Sequence, residues 1–379
     1  MTRPIVVSLF AGAGGLDLGF EQAGCDIPVA IESDRIHAIT HKRNFPMWVT
    51  LNQPVEAATA ANINCHLHEH PVDILIGGPP CQAFSIGGER SHTDPRSSLL
   101  SEFVRLTAAL QPKFFVLENV KGLTQTHCRP VLEQAIAQFK ALGYHLPDWR
   151  VLNAKNYGVP QHRERLFLLG SRADMPALRY PKPTHPDELG RFVTAADALN
   201  DIPDAEDWMA QRSIKNGELW SAAGDQALLS EYAKTMRYQT AQEMQRCYGR
   251  EHQAWLFTDS HTTDHSPEVR ARFAVTAPGD REPVSRFHRL KADAVAPTLR
   301  AGTDRQRGAH TAPRPIHYRY DRCLTVREMA RLSGFPDWFK FDERKWHGAR
   351  QIGNAVPPPL ARAIACEVLK SIRKDSGRS

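Results

Sequence analysis

Short apolar runs recur through the first half of the chain: IVVSLF (5–10), IPVAIE (27–32), MWVTLN (47–52), VDILIGG (72–78) and KFFVLENV (113–120). Each has the length and the β-branched or aromatic content of a buried strand. After them LLSEFVRLTAALQP (99–112) and RPVLEQAIAQFKALG (129–143) carry apolar residues at helical spacing, the second with a proline at its opening. WRVLNA (149–154) and RERLFLLGS (163–171) read as later strands. Strand and helix in alternation predict an α/β fold, a mostly parallel sheet covered on both faces.

Beyond Ser171 the pattern gives way to a Pro, His and Asp mixture and then to irregular polar sequence as far as Asp321. The apolar period returns in LTVREMARLSGFP (324–336) and PPPLARAIACEVLKSIRK (357–374), where prolines precede a helix. The expected organisation is one domain made of 1–171 and 322–379, with a second, smaller domain at 172–321. At 379 residues and 41% hydrophobic content, the chain can bury a large core. No apolar run reaches the roughly 18 residues of a membrane span and no charged-then-apolar leader opens the chain, so a cytoplasmic protein is expected. Seven cysteines, an odd number, fit a reducing compartment and make any special cysteine a nucleophile or ligand.

Charge sharpens this picture. Between Arg286 and Arg322 nine Arg or Lys stand against three Asp, a local excess that equals the +6 of the whole chain. A focused basic stretch is the footprint of a polyanion, with a solvated basic loop as the plain alternative.

Four places carry candidate chemistry. In SLFAGAGGLDLGF (8–20) a strand runs through a glycine-rich turn into a helix; Asp17 breaks the strict dinucleotide spacing, but Gly12, Gly14 and Gly15 still let a ligand approach the backbone. Glu32 ends the second strand, 20 residues past Gly12, where a carboxylate can accept from ribose hydroxyls. A nucleoside-containing cofactor is therefore expected. Cys81, behind Pro79 and Pro80, ends the fourth strand and Glu118 ends the fifth, so both open onto the same crevice of a parallel sheet. In QHRER (161–165) the two-residue strand period puts Gln161, Arg163 and Arg165 on one face, suited to an anionic or carbonyl-bearing substrate. CHLHEH (65–70) looks like a metal cluster but lacks a second ligand pair and reads as a solvated loop, so no metal is expected.

In this order the motifs resemble the cytosine-C5 DNA methyltransferase family. FAGAGG is similar to its cofactor motif, PPCQAFS to its nucleophile motif, ENV to its glutamate motif and QHRER to its QxRxR motif; RCLTVREMARLSGFP and QIGNAVPPPLA are similar to its two C-terminal motifs. The resemblance covers about residues 4–171 and 322–370, and places 172–321 where that family has its target recognition domain. It implies a Rossmann-like S-adenosylmethionine-dependent methyltransferase fold, with the cofactor held by Phe10, Gly12, Gly14, Gly15, Leu16, Glu32, Asn52, Pro80, Leu99, Asn354, Ala355 and Val356. It further implies DNA contacts at Gln82, Ser85, Gln161 and, from APTLRAGT (296–303), at Thr298 and Arg300. The chain departs from the family at Ser8, where members usually carry an acidic residue. A second departure lies at the adenine-reading position, where many have an Asp-Ile pair and Asn52 or Asn62 is nearest.

The chemistry implied is addition of the Cys81 thiolate to carbon 6 of cytosine, with Glu118 at N3 and the amino group and Arg165 at O2. Arg163 joins these as a fourth catalytic candidate. The base must first leave the duplex, and SIGGERSHTDPRSS (85–98) has the composition of a closing lid. The expected function is methylation of a short double-stranded DNA sequence by a monomer. The plan, without an N-terminal regulatory extension, resembles bacterial members that accompany a cognate restriction endonuclease. Alternatives are a tRNA cytosine-5 methyltransferase, disfavoured by the long segment after QHRER, and a non-catalytic DNA-binding regulator, disfavoured by the intact Cys81, Glu118, Arg163 and Arg165. A cysteine hydrolase is a third, disfavoured because no histidine sits in a motif that would pair with Cys81.

Overall fold

Residues IVVSL form β1 (Ile5–Leu9), the strand on which the first unit is built. Outward from it lie β2 (Asp26–Ile31) and β3 (Val49–Leu51), both parallel to their neighbour. On its other side come β4 (Ile74–Gly77) and β5 (Phe114–Val120), again parallel. The β1–β2 register slips between Ile5 and Val7, beside Ile27 and Pro28, where proline has no N–H to give the ladder. Two short strands, β6 (Tyr144–His145) and β7 (Arg150–Asn153), and the long β8 (Glu164–Arg172) complete an eight-stranded sheet in the order β3-β2-β1-β4-β5-β8-β6, with β7 also on β8. β8 runs antiparallel to β5, a direction that apolar content alone does not specify.

The computed structural model describes residues 3–80, 97–206, 219–220, 229–238, 250, 253–254, 256–302 and 314–376. Within the sheet, Val7, Leu9, Leu75, Phe115 and Leu117 pack with Phe103 of α4 (Ser97–Leu110) and Phe139 of α5 (Arg129–Ala141). The Phe115 and Phe139 rings stack at 4.2 Å between centroids. Residues of the opposite parity, Val6, Ala30, Ile74, Ile76 and Val116, are just as buried, so both faces are covered. Three further helices connect strands: α1 (Gly15–Ala23), α2 (Arg35–Asn44) and the short α3 (Ala60–Asn64). α1 lies along the final helix, Pro358–Ser376, so closely that a Cβ at Gly19 would stand 2.4 Å from that of Ala361.

The first unit comprises Met1–Asn153, Glu164–Pro183 and Pro358–Ser379; the second comprises Ala154–Arg163 and Thr184–Pro357. Sequence pattern grouped all of 322–379 with the sheet, yet by packing 322–357 falls within the second unit and the return begins at Pro358. That second unit combines its apolar core with a set of buried guanidiniums. Arg331 donates to Asp337 at 2.6 and 2.7 Å and to Asp201 at 3.1 and 3.0 Å, while Arg237 reaches the same Asp201 at 2.6 Å. Arg322 forms a fork on Glu328 at 2.9 and 2.8 Å and also takes Asp204. Glu328 is at once the capping-box acid of the helix Val326–Leu332, so one carboxylate serves a cap and an ion pair.

Candidate active site

Strand order reverses at β1: the chain goes outward to β2 and β3, then returns to place β4 on the other side. Loops that leave the carboxyl ends of β1 and β4 therefore border a crevice at the switch point. The first loop begins at Phe10, held at φ 54°, and passes through Gly12 at φ 59° and Gly14 at φ 99°. A Cβ built on Gly12 meets nothing within 4 Å, whereas one on Gly14 would strike Phe45 of the α2 end at 2.2 Å. Gly12 thus opens space for a ligand; Gly14 is small because a ring packs on it. Gly15 and Leu16 start α1 and are buried, and Asp17 points inward, 3.4 Å from His41 Nε2.

Glu32 follows β2 directly. Its carboxylate accepts the Gly12 N–H at 2.8 Å and the Asp34 N–H at 2.7 Å, tying the glycine turn to the start of α2, where Asp34 is the N-cap. Each oxygen keeps a lone pair beyond these bonds. Asn52 is exposed and its Nδ2 donates to the carbonyls of Glu32 (2.9 Å) and Ser33 (3.1 Å), which leaves Oδ1 as an outward acceptor. Asn62, the other candidate for the adenine, instead caps its own helix by accepting the Thr59 N–H. Open space beside a glycine, a carboxylate with spare lone pairs and an amide acceptor fit the ribose and adenine of a nucleoside cofactor. Ser8 is buried in the middle of β1, and Leu99 packs against the core from the first turn of α4.

At the β4 side Pro79 is buried and Pro80 exposed; Cys81, Gln82, Ser85 and the expected lid at 85–98 up to Arg96 lie outside the described residues. The approach to Cys81 is fixed from β5. Asn119 donates through Nδ2 to the Pro79 carbonyl at 3.0 Å, and Glu118 lies over Gly78, where a Cβ would come within 2.6 Å of Oε2. Neither Gly78 nor Asn119 is singled out by the sequence pattern, although a glycine before Pro-Pro and the Asn of ENV were there to be read. Gly78→Ala is expected to push the Glu118 carboxylate from its place and lower kcat about a hundred-fold while cofactor affinity holds. Steady-state kinetics beside calorimetric titration of the cofactor separates the two, and unaltered kcat would refute the packing argument.

Arg165 opposes Val120 across the β5–β8 ladder, which puts it diagonal to Glu118 on the same face. Its Nε lies 2.9 Å from Glu118 Oε1, and both side chains are nearly buried. Burial pulls the Arg165 pKa below its ordinary value, an effect the Glu118 charge partly offsets, and the guanidinium remains a cation. Glu118 and Arg165 are thus brought together.

Arg163 and Gln161 are not on that face. β8 begins only at Glu164, so the two-residue period does not extend back to them. Arg163 is 1% exposed and donates to the carbonyls of Leu299 (2.8 Å), Gly353 (2.6 Å) and Ala355 (2.8 Å), inside the second unit. These three bonds tie Arg163 to backbone of the second unit. Gln161, fully buried, binds the Leu332 carbonyl, the Ser333 hydroxyl and the Leu299 N–H, which removes it from a DNA surface. Asn354 and Ala355 end the helix Lys345–Asn354 and Val356 follows it, buried. Thr298 is half-buried with its hydroxyl on the His162 carbonyl, and Arg300 is exposed.

The family model for the C-5 cytosine-specific DNA methylase matches residues 5–370. The chain is 47% identical over 380 residues to the type II methyltransferase M.XorII of Xanthomonas oryzae pv. oryzae, covering 99% of this chain and 86% of that relative. It is 33% identical to the type II methyltransferase M1.HphI of Haemophilus parahaemolyticus, over 96% of this chain and 86% of the other. Among solved structures, a protein of an E. coli prophage described as a DNA modification methyltransferase superposes with a TM-score of 0.78 at 30% identity, covering 98% of this chain and all of that one. The Dnmt2 methyltransferase of S. pombe shares the fold at a TM-score of 0.60 and 15% identity, over 98% and 99% of the two chains.

Proposed function

This chain belongs to the C-5 cytosine-specific DNA methylase family and is a DNA cytosine-5 methyltransferase, and from that premise we propose how its residues divide the work. The observation that carries the reading is the Glu118–Arg165 pair beside Gly78, at the strand end that leads into Cys81. S-adenosylmethionine, which Gly12, Glu32 and Asn52 would hold, supplies an electrophilic methyl group. Cys81 as thiolate adds to carbon 6 of a cytosine turned out of the duplex, breaking the 5,6 double bond and placing its electron pair toward carbon 5. Glu118 holds a proton at N3, and Arg165 stabilises charge at O2 while it keeps Glu118 oriented. Once carbon 5 is methylated, loss of its proton and departure of the thiolate restore the ring.

Sequence choice is assigned to residues 172–321, because bases are read by side chains in a groove while a catalytic site meets only the extruded cytosine. The relatives named type II methyltransferases support a modification role alongside an endonuclease that cuts the same sequence. A monomer suffices for this chemistry. Among the described residues no helix is long and apolar enough to cross a membrane. Bisulfite sequencing of DNA from cells that express the protein tests the function, with 5-methylcytosine expected in one short sequence context. Unmethylated DNA despite soluble, folded protein would overturn it.

The described residues of the basic stretch 286–322 include two contrasting kinds. Arg289 and Arg322 are buried, paired with Asp321 and with Glu328 and Asp204, whereas Lys291 and Arg300 are exposed. Neutralising Lys291 or Arg300 is expected to lower the slope of log affinity against log salt by about one each. Fluorescence anisotropy with a duplex across a salt series measures this, and parental slopes in both variants would reject the phosphate role.

A further inference from the structure

Between the helix Pro267–Val275 and Leu290 the chain doubles back as a hairpin, Asp280–Arg289, which the catalytic reading leaves without a task. Its legs are joined by Arg289 N–H to the Asp280 carbonyl (2.9 Å) and Glu282 N–H to the Phe287 carbonyl (2.8 Å). The turn closes with Arg286 N–H on the Glu282 carbonyl at 2.8 Å, Arg286 itself standing at φ 59°. Glu282 is completely buried; its carboxylate accepts the Ser285 N–H and hydroxyl, and Arg272 Nε at 2.9 Å. Burial would raise its pKa, but these donors hold the carboxyl at about 2, so the lock stays ionised at any working pH. At the root, buried Arg289 donates to the Phe273 carbonyl and to Asp321, and Phe287 packs against Phe273.

Rigid support of this kind costs conformational entropy that a passive surface loop has no need to spend. What it holds outward is an apolar tip, Pro283 and Val284, the latter 69% exposed, between the exposed Arg281 and Arg286. One valine between two guanidiniums is too small and too charged for a protein-docking patch. It suits a polyanion that offers apolar base edges between its phosphates. A narrow hairpin of this kind, bridged at Arg281 and His288, can enter the major groove, where the thymine methyl is the apolar mark.

We propose that the hairpin Asp280–Arg289 is a preformed reading finger that enters the DNA major groove, Val284 touching base edges and Arg281 and Arg286 holding the flanking backbone. This rests on the DNA methyltransferase reading above. All three side chains are exposed, so Val284→Ala and an Arg281→Ala, Arg286→Ala double variant should keep the parental Tm. The experiment is bisulfite sequencing of a duplex library randomised around the target, together with anisotropy against salt. Val284→Ala is expected to relax the preference at one base position about ten-fold, and the double variant to reduce the salt slope by about two. A sequence profile and a slope both unchanged in active variants would overturn the finger while leaving the enzyme reading intact. Uniform loss by Val284→Ala across all sequences would also overturn it, since that is not reading. Failure of the parent itself to methylate any library member would instead sink the underlying function.

Discussion

With Cys81 replaced by serine, methyl transfer is expected to fall by at least about ten-thousand-fold while duplex binding changes little. A serine hydroxyl keeps the shape but is almost wholly protonated at neutral pH, and nothing in the proposed chemistry substitutes for the thiolate at carbon 6. Cys81 itself lies outside the described residues, but its run-in does not: Asn119 fixes the Pro79 carbonyl, and Glu118 rests on Gly78. The sharper readout is covalent. When the target carries 5-fluorocytosine, methyl transfer can occur but carbon 5 has no proton to lose, so the thiol cannot depart. A denaturation-resistant protein–DNA species requiring S-adenosylmethionine should accumulate with the parent and be absent with Cys81→Ser. An adduct mapped by mass spectrometry to another residue, or brisk turnover by the serine variant, would refute the assignment.

Asp201→Ala should be the most damaging change for stability. One carboxylate, 5% exposed, serves two buried guanidiniums, Arg331 and Arg237. Its loss strands charge inside the protein, a cost of about 3–5 kcal/mol. A fall in Tm of roughly 10 °C is expected by circular dichroism. An unshifted melt would mean that Asp337 alone can hold the pair. The same network sets an acid limit. For Asp201 and Glu328 burial alone would raise the pKa, but Arg331 and Arg322 respectively outweigh it, holding Asp201 below its ordinary value and Glu328 at about 2. Carboxyls depressed in the folded state contribute stability that is complete above the unfolded value near 4 and is lost as pH falls toward the folded one. Unfolding titrations should therefore show stability falling between about pH 4 and 2 as these carboxyls protonate. Stability unchanged between about pH 4 and 2 would contradict this.

Much of the sheet was legible, because strands buried on both faces announce themselves as apolar runs and need no knowledge of their neighbours. The glycine turn, Glu32 and the ENV run were legible for a related reason: each sits at the end of such a strand, where the sheet fixes what it faces. What failed was inference by local period across a break. Gln161 and Arg163 looked like part of β8, yet the strand starts at Glu164 and the carbonyls that Arg163 holds are 136 to 192 positions away. The buried arginines fared likewise. Arg322 reads as one more cation in a basic stretch, because one of its two carboxylate partners, Asp204, lies 118 residues earlier and the other, Glu328, six residues on, reads as a helix-cap acid. Charge counts see a footprint; only the fold says which charges are already neutralised from within.

The pairing of α1 with the helix Pro358–Ser376 has a consequence in time. α1 leaves the ribosome more than three hundred residues ahead of the helix that covers it. At about 5–20 residues per second its apolar flank waits roughly twenty to seventy seconds for its cover. Throughout that interval the turn from Phe10 to Gly14 is anchored on a helix that has only one side of its packing. Apolar surface left open for that long is of the kind that chaperones shelter. Ribosome-bound chains halted before Pro358 should be cut by protease within the first unit, and chains released after Ser376 should resist; equal resistance would mean that α1 is stable uncovered.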